Sequence, residues 1–162
     1  MLSRLWSRRL SKGSFEERLQ AAAVSVRFPD APEVPYTLCE GLPQTVWFDR
    51  KANSLDDPED VAGVERSVAQ IDEEIDQICA DGIPVNRICV CGMSMGGALA
   101  LHVAYGSGRH AGRLGAAGCL SGFLPADSGL DAIAAARFSS KAERQGDETD
   151  AMQAPPLFFD LI

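Results

Sequence analysis

The spacing of apolar residues changes along the chain, and each change predicts an element. Between Val61 and Ile78 they recur at three and four residues (Val61, Val64, Val68, Ile71, Ile75, Ile78), which puts them on one stripe of a helix that can lie on a sheet. Asp57 suits the N-cap of that helix, Pro58 its first position, and Glu59 and Asp60 its positive end, while Gly82 and Pro84 stop it. RICVCG (87–92) is a continuous apolar run, as in parallel strands covered on both faces. After it come a turn at Ser94, a helix of small residues from about Met95 to Tyr105, and a stop at GSG.

AAAVSVRF (21–28) and GAAGCLSGF (115–123) read as further strands, DSGLDAIAAARF (127–138) as a short helix, SSKAERQGDETDAMQ (139–153) as a polar loop, and PPLFFDLI (155–162) as a last strand. PDAPEVPYTLCEGLPQTVWFD (29–49) contains Pro29, Pro32, Pro35 and Pro43. It is therefore neither helix nor central strand, and its aromatics Tyr36, Trp47 and Phe48 must pack elsewhere. Strands alternating with helices define an α/β chain with a mainly parallel sheet and flanking helices.

Composition narrows this further. With 162 residues, 46% of them hydrophobic, the chain fits one globular domain over residues 1–162 with a core of its own. A formal charge of -8 argues against nucleic acid or an anionic membrane as partner, since both demand basic surface. No apolar run approaches the roughly 18 residues that span a bilayer. MLSRLWSRRLSK, at the start, is rich in Arg, Ser and Leu and free of acids. It has the composition of a mitochondrial transit peptide, and equally Leu2, Leu5, Trp6 and Leu10 make the stripe of an ordinary amphipathic helix. The five cysteines (Cys39, Cys79, Cys89, Cys91, Cys119) are odd in number, and Cys89 and Cys91 are too close along one strand for an ordinary disulfide. They read as small apolar core residues in a reducing compartment.

Candidate chemistry centres on Gly92-Met93-Ser94-Met95-Gly96, a G-x-S-x-G pattern in which a strand turns sharply into a helix and holds the serine strained and exposed. The pentapeptide alone is short enough to arise by chance; the apolar strand before it and Gly96, Gly97, Ala98 and Ala100 after it supply the context the motif requires. Ser94 is then a candidate nucleophile, and the Met95 amide, at the helix's positive end, a candidate oxyanion donor. The other reading is a glycine-rich turn that binds nothing or cradles a phosphate, which the lack of a following Lys disfavours.

A serine nucleophile needs a base, normally a histidine oriented by a carboxylate. Of the two histidines, His102 lies eight residues beyond Ser94 on the same helix, about 12 Å along its axis, and His110 follows that helix's far end. Both read as structural or solvated. The acids Asp72, Glu73, Glu74 and Asp76 suggest a solvated outer helix face more than a metal site, because no histidine accompanies them and neighbouring carboxylates on a helix point apart.

At FPDAPEVPYT, GLPQTVWFDR, IDEEIDQICADGIPVNRI, CGMSMGGALALHVAY and CLSGFLP the chain resembles, block after ordered block, the acyl-protein thioesterase and lysophospholipase-like serine hydrolases. VWFDR and GMSMGG are most similar to the lysophospholipase-like branch; the thioesterases proper carry Gln at the position of Met95. The resemblance covers nearly the whole chain. It implies a cytoplasmic carboxylesterase or thioesterase of partial α/β-hydrolase fold, using no metal or cofactor. Ser94 matches the nucleophile, Met95 the oxyanion amide, and Trp47 an aromatic near the acyl-binding site, although a Trp beside Phe48 is equally good as core. The implied substrate is an acyl ester or thioester, such as an S-acylated protein or a lysophospholipid.

The sequence departs from that family at both ends. Family members open with a strand ending in His-Gly and a glycine-rich loop that donates a second oxyanion amide, whereas this chain begins at the following helix, with Trp6 at its tryptophan. PPLFFDLI matches the strand that leads to the triad aspartate and histidine, and Asp160 lies too early to be that aspartate. The expectation is an incomplete catalytic set: little hydrolase activity, marginal stability, and, as the alternative to an enzyme, a truncated chain retaining at most acyl or partner binding.

Overall fold

A computed structural model describes residues 24–142 and 157–160, together with Glu17 and Ala21. A short antiparallel ribbon comes first, pairing β1 (Glu33–Pro35) with β2 (Pro43–Thr45). Helix α1 (Val61–Ala80) follows, then β3 (Cys89–Met93), α2 (Met95–Tyr105), β4 (Ala116–Leu120), α3 (Leu130–Ala142) and β5 (Leu157–Asp160). The larger sheet is parallel throughout, in the order β3-β4-β5, with Met93 opposite Leu120 and Leu120 opposite Asp160.

The core forms where α2 is pressed between the sheet and α1. Every residue of α2 from Gly97 to Ala104 is buried, as expected of a helix that is apolar on all sides. Val103, Ala104 and Ala117 are fully enclosed, and Val64, Val68 and Ile75 of α1 close over them with Phe48. Ile71 and Ile78 are partly buried against this cluster, while Val61, the first residue of the predicted stripe, is exposed.

Several elements differ from expectation. Residues 24–30 are irregular and Ala21 is helical, so the strand expected over 21–28 does not form at these positions. A strand exists only by laddering to a neighbour, and among the described residues this segment has none. It is tied instead by its side chains: the Arg27 guanidinium pairs with Glu74 at 3.3 Å and Asp81 at 2.9 Å, leaving Val24, Val26 and Phe28 exposed. The N-terminal dozen residues, with their two readings, lie outside the described residues.

Helix α1 is capped by Asp60, not Asp57. Asp57 is buried, its Oδ2 accepting the amides of Lys51 (2.7 Å) and Ala52 (2.9 Å). With Asp57 committed to the loop, Asp60 Oδ1 takes the Gly63 amide at 3.0 Å while its Oδ2 accepts the Asp49 amide at 2.8 Å. Asp49 in turn accepts both the amide (2.8 Å) and the hydroxyl (2.5 Å) of Thr37. Burial alone pushes the Asp49 carboxyl upward, but the Thr37 hydrogen bonds outweigh it and hold the group below its ordinary range. The ribbon is thereby linked to the start of α1 through two carboxylates.

The acidic run of α1 is not uniformly solvated. Asp72 is 2% exposed and accepts the Arg109 amide at 2.8 Å, while Asp76 binds the Arg109 guanidinium (3.0 Å) and His110 (2.7 Å). These acids therefore do have a histidine beside them, and they clamp the segment after α2 onto α1. Among the described residues no cluster of three or more ligating side chains could hold a metal ion.

Strand β3 is covered on one face only: Cys89, Cys91 and Met93 alternate outward and are exposed. It is an edge strand among the described residues, which explains the departure from the two-sided burial its composition implies. Cys119 alone of the cysteines is buried; Cys39 and Cys79 are half-buried, and all five are free. Finally, α3 runs on through Ala142, four residues past its expected end and into the expected polar loop.

Candidate active site

Strand β3 ends at Met93 and helix α2 begins at Met95, so the reversal is made by Ser94 alone. Its backbone is φ 53°, ψ −121°, a region in which a residue bearing a Cβ is strained and which concentrates at functional positions. The Ser94 amide donates to Leu120 O on β4 at 2.9 Å, and its carbonyl accepts the Ala98 amide at 3.1 Å. The side chain makes no capping hydrogen bond to the helix and Ser94 is exposed, leaving the hydroxyl at the surface above the C-terminal ends of two parallel strands.

The glycines make this turn possible, but not equally. A Cβ on Gly92 would lie 2.1 Å from Gly96 O, and one on Gly97 would lie 2.9 Å from Cys119 Sγ and 3.0 Å from Gly92 O. These contacts force strand and helix to cross backbone against backbone. Gly96 is different: its Cβ would meet only Trp47 Nε1, at an ordinary 3.6 Å. The sterically demanding glycine after the serine is therefore Gly97, outside the pentapeptide. The same contact locates Trp47 beside the turn, half-buried against the core, its carbonyl accepting the Ser67 hydroxyl.

Met95, half-buried, is the first residue of α2. Its amide is one of the helix's leading N–H groups, which have no partner within the helix and carry the positive end of its dipole. Ser94, Met95 and Trp47 are thus brought together. Phe123, in the loop after β4, packs edge-to-face on Phe48 with ring centroids 6.3 Å apart and carries the Arg50 guanidinium 4.3 Å above its face.

Both histidines are engaged elsewhere. His102 is 4% exposed, and its Nε2 lies 2.9 Å from Glu59 Oε1, which also accepts the Ser128 hydroxyl at 2.8 Å. Burial pushes the His102 imidazole below its usual range, opposed in part by the Glu59 charge and hydrogen bond. The neutral ring donating to Glu59 satisfies both groups. His110 is bound to Asp76. The structural reading of the two histidines is borne out, while Glu59, expected at the dipole of α1, is instead a nearly enclosed carboxylate joining α2 to the loop before α3. Nothing in its local sequence marks that role; it depends on His102 and Ser128 arriving from distant parts of the chain.

A helix-covered parallel sheet whose strand turns through a strained serine into a buried helix defines the class: this is an α/β-hydrolase fold. Solved structures agree. The chain matches Arabidopsis thaliana SOBER1 with a TM-score of 0.58 and 31% identity, over 65% of this chain and 50% of that one. It matches Zea mays acyl-protein thioesterase 2 with a TM-score of 0.59 and 25% identity, over 88% and 63%. Within the class, the Phospholipase/Carboxylesterase family model matches residues 15–138, and the chain belongs to that family. Among curated relatives, lysophospholipase-like protein 1 of Mus musculus is 39% identical over 84 residues, 52% of this chain and 35% of that protein. Acyl-protein thioesterase 1 homolog 2 of Dictyostelium discoideum is 37% identical over 97 residues, 60% and 42%. The chain thus spans well under half the length of these relatives. No helix among the described residues is long and apolar enough to cross a membrane.

Proposed function

We propose that residues 1–162 belong to a single α/β-hydrolase domain of a cytoplasmic serine hydrolase that cleaves acyl esters or thioesters, with Ser94 as nucleophile. The observation that carries this reading is the Ser94 backbone at φ 53°, exposed at the β3–α2 reversal. Ser94 Oγ adds to the acyl carbon as its proton passes to base or solvent, and the developing oxyanion is met by the Met95 amide. Collapse breaks the ester or thioester bond, the leaving oxygen or sulfur taking up a proton, to leave an acyl-enzyme that water hydrolyses to the carboxylic acid and free Ser94. Trp47, beside Gly96, forms one wall for the acyl group. Relatives named for lysophospholipase-like and acyl-protein thioesterase activity support this substrate class.

His102 and His110 are held by Glu59 and Asp76, so neither serves Ser94 as base, and these are the sequence's two histidines. This favours a second reading, in which these residues by themselves bind an acyl group or a partner with little turnover, since a serine without a base loses roughly 10⁴-fold or more in rate. A fluorophosphonate probe and ester turnover separate the two. Ser94-dependent labelling with turnover above Ser94→Ala upholds the hydrolase reading for this chain; labelling without turnover upholds binding alone; neither, with a folded protein, removes Ser94 as nucleophile.

A further inference from the structure

Ser121 shares its backbone peculiarity with Ser94. Its φ is 46°, in the left-handed region that glycine occupies freely and a serine does not. Met93 and Leu120 are the last paired residues of β3 and β4, so Ser94 and Ser121 leave neighbouring parallel strands side by side, at the same end of the sheet. The Ser94 amide bond to Leu120 O, at 2.9 Å, ties the two exits together. Both serines are exposed.

The residue next to Ser121 sharpens the point. Gly122 does not adopt a positive φ; it is glycine because a Cβ there would lie 2.1 Å from Cys119 Sγ and 3.4 Å from Ala98 N. Glycine therefore stands where space is lacking, and serine stands where the backbone is strained. An exposed position in this conformation is less strained as glycine, so at Ser121 the chain carries a hydroxyl at the expense of backbone strain.

We propose that Ser121 is a second polar contact at the reaction centre: its hydroxyl hydrogen-bonds an oxygen of the tetrahedral adduct formed at Ser94. This rests on Ser94 being the nucleophile. In forming the adduct, the Ser94 Oγ–carbon bond is made, the carbonyl π pair moves onto oxygen, and the Ser94 proton passes to base or solvent. Ser121 keeps its proton and contributes a hydrogen bond only.

Octylboronic acid, which forms a reversible tetrahedral adduct with a serine hydroxyl, tests this on the full chain without requiring turnover. Its Kd is measured by titration calorimetry for the parent, Ser94→Ala, Ser121→Ala, Ser121→Gly and Ser121→Asn, together with each Tm. Ser121→Ala and Ser121→Gly each weaken Ser94-dependent binding about fivefold, the weight of one neutral hydrogen bond, and Ser121→Asn, which tolerates the backbone and offers a donor, stays within about twofold. Ser121→Gly raises Tm by about 3 °C while it weakens binding, a separation that a merely structural role would not produce. Unchanged Kd in both Ser121→Ala and Ser121→Gly overturns the role of Ser121 and leaves Ser94 standing. Absence of any Ser94-dependent adduct in the folded parent overturns both.

Discussion

Helix α2 is held at its two ends by opposite kinds of chemistry. Around its first turn, backbone lies directly against backbone: Gly92, Gly97 and Gly122 leave no room for a side chain, and Ser94 and Ser121 are held at positive φ. Around its second half, contact is made through carboxylates: the enclosed Glu59 holds His102 and Ser128, and the buried Asp72 and exposed Asp76 hold Arg109 and His110. The first end is strained, with its hydroxyls exposed. The second is polar and largely satisfied, although Asp72 Oδ1 and His110 Nδ1 have no hydrogen-bond partner. Histidine identity alone would have placed chemistry at the second end. Strain and exposure mark the first.

The largest effect expected from perturbing this contrast comes from adding one carbon at the crossing. Gly92→Ala drives a Cβ to 2.1 Å from Gly96 O, backbone on backbone, and should cost at least about 3 kcal/mol in chemical denaturation or prevent folding. At the carboxylate end, Glu59→Ala leaves the buried His102 and the half-buried Ser128 without their acceptor and should cost about 3 kcal/mol, yet leave the backbone at Ser94 and its labelling by a fluorophosphonate intact. If Glu59→Ala abolished labelling in a protein that remained folded, the two ends would not be separable.

Acid probes the second end alone. Because His102 titrates below its unfolded value of 6.5, the unfolded chain takes up more protons than the folded one as pH falls past that value. The His102 contribution is fully present above pH 6.5 and is lost as pH drops toward the folded pKa, at up to about 1.4 kcal/mol per pH unit. Denaturation midpoints followed downward from pH 7 should show this slope, and His102→Gln should remove it. Smaller still is relief of strain: Ser94→Gly should gain about 1 kcal/mol over Ser94→Ala. Gly96→Ala, with only Trp47 Nε1 near its Cβ, should change stability by less than about 1 kcal/mol. A large loss in Gly96→Ala would show that the pentapeptide's second glycine is needed for more than space.

What could be read from the chain follows the same division. The β3–Ser94–α2 unit was legible almost to the residue, because an apolar run, glycines and a helix of small residues specify each other locally. Helix α1 was legible in type but not in origin. Asp57 and Asp60 both offer a capping oxygen, and the choice depends on which amides the preceding loop leaves unbound. The segment 24–28 has the composition of a strand, but composition cannot supply a ladder partner. The acids at 72 and 76 look alike in sequence, and only the return of Arg109 and His110 separates a buried anchor from a solvated one. Gly97 lay just beyond the motif that drew attention to its neighbours.

Asp60 has a consequence beyond capping α1. One of its oxygens starts a helix and the other grips Asp49, which in turn grips Thr37. Trp47 lies between those last two points in the chain. The carboxylate is therefore a shared anchor: helix start and ribbon hang from its two oxygens, and the indole lies partway along the tethered segment. The indole beside Gly96 is thus carried on a segment whose far end is tied to the first turn of α1.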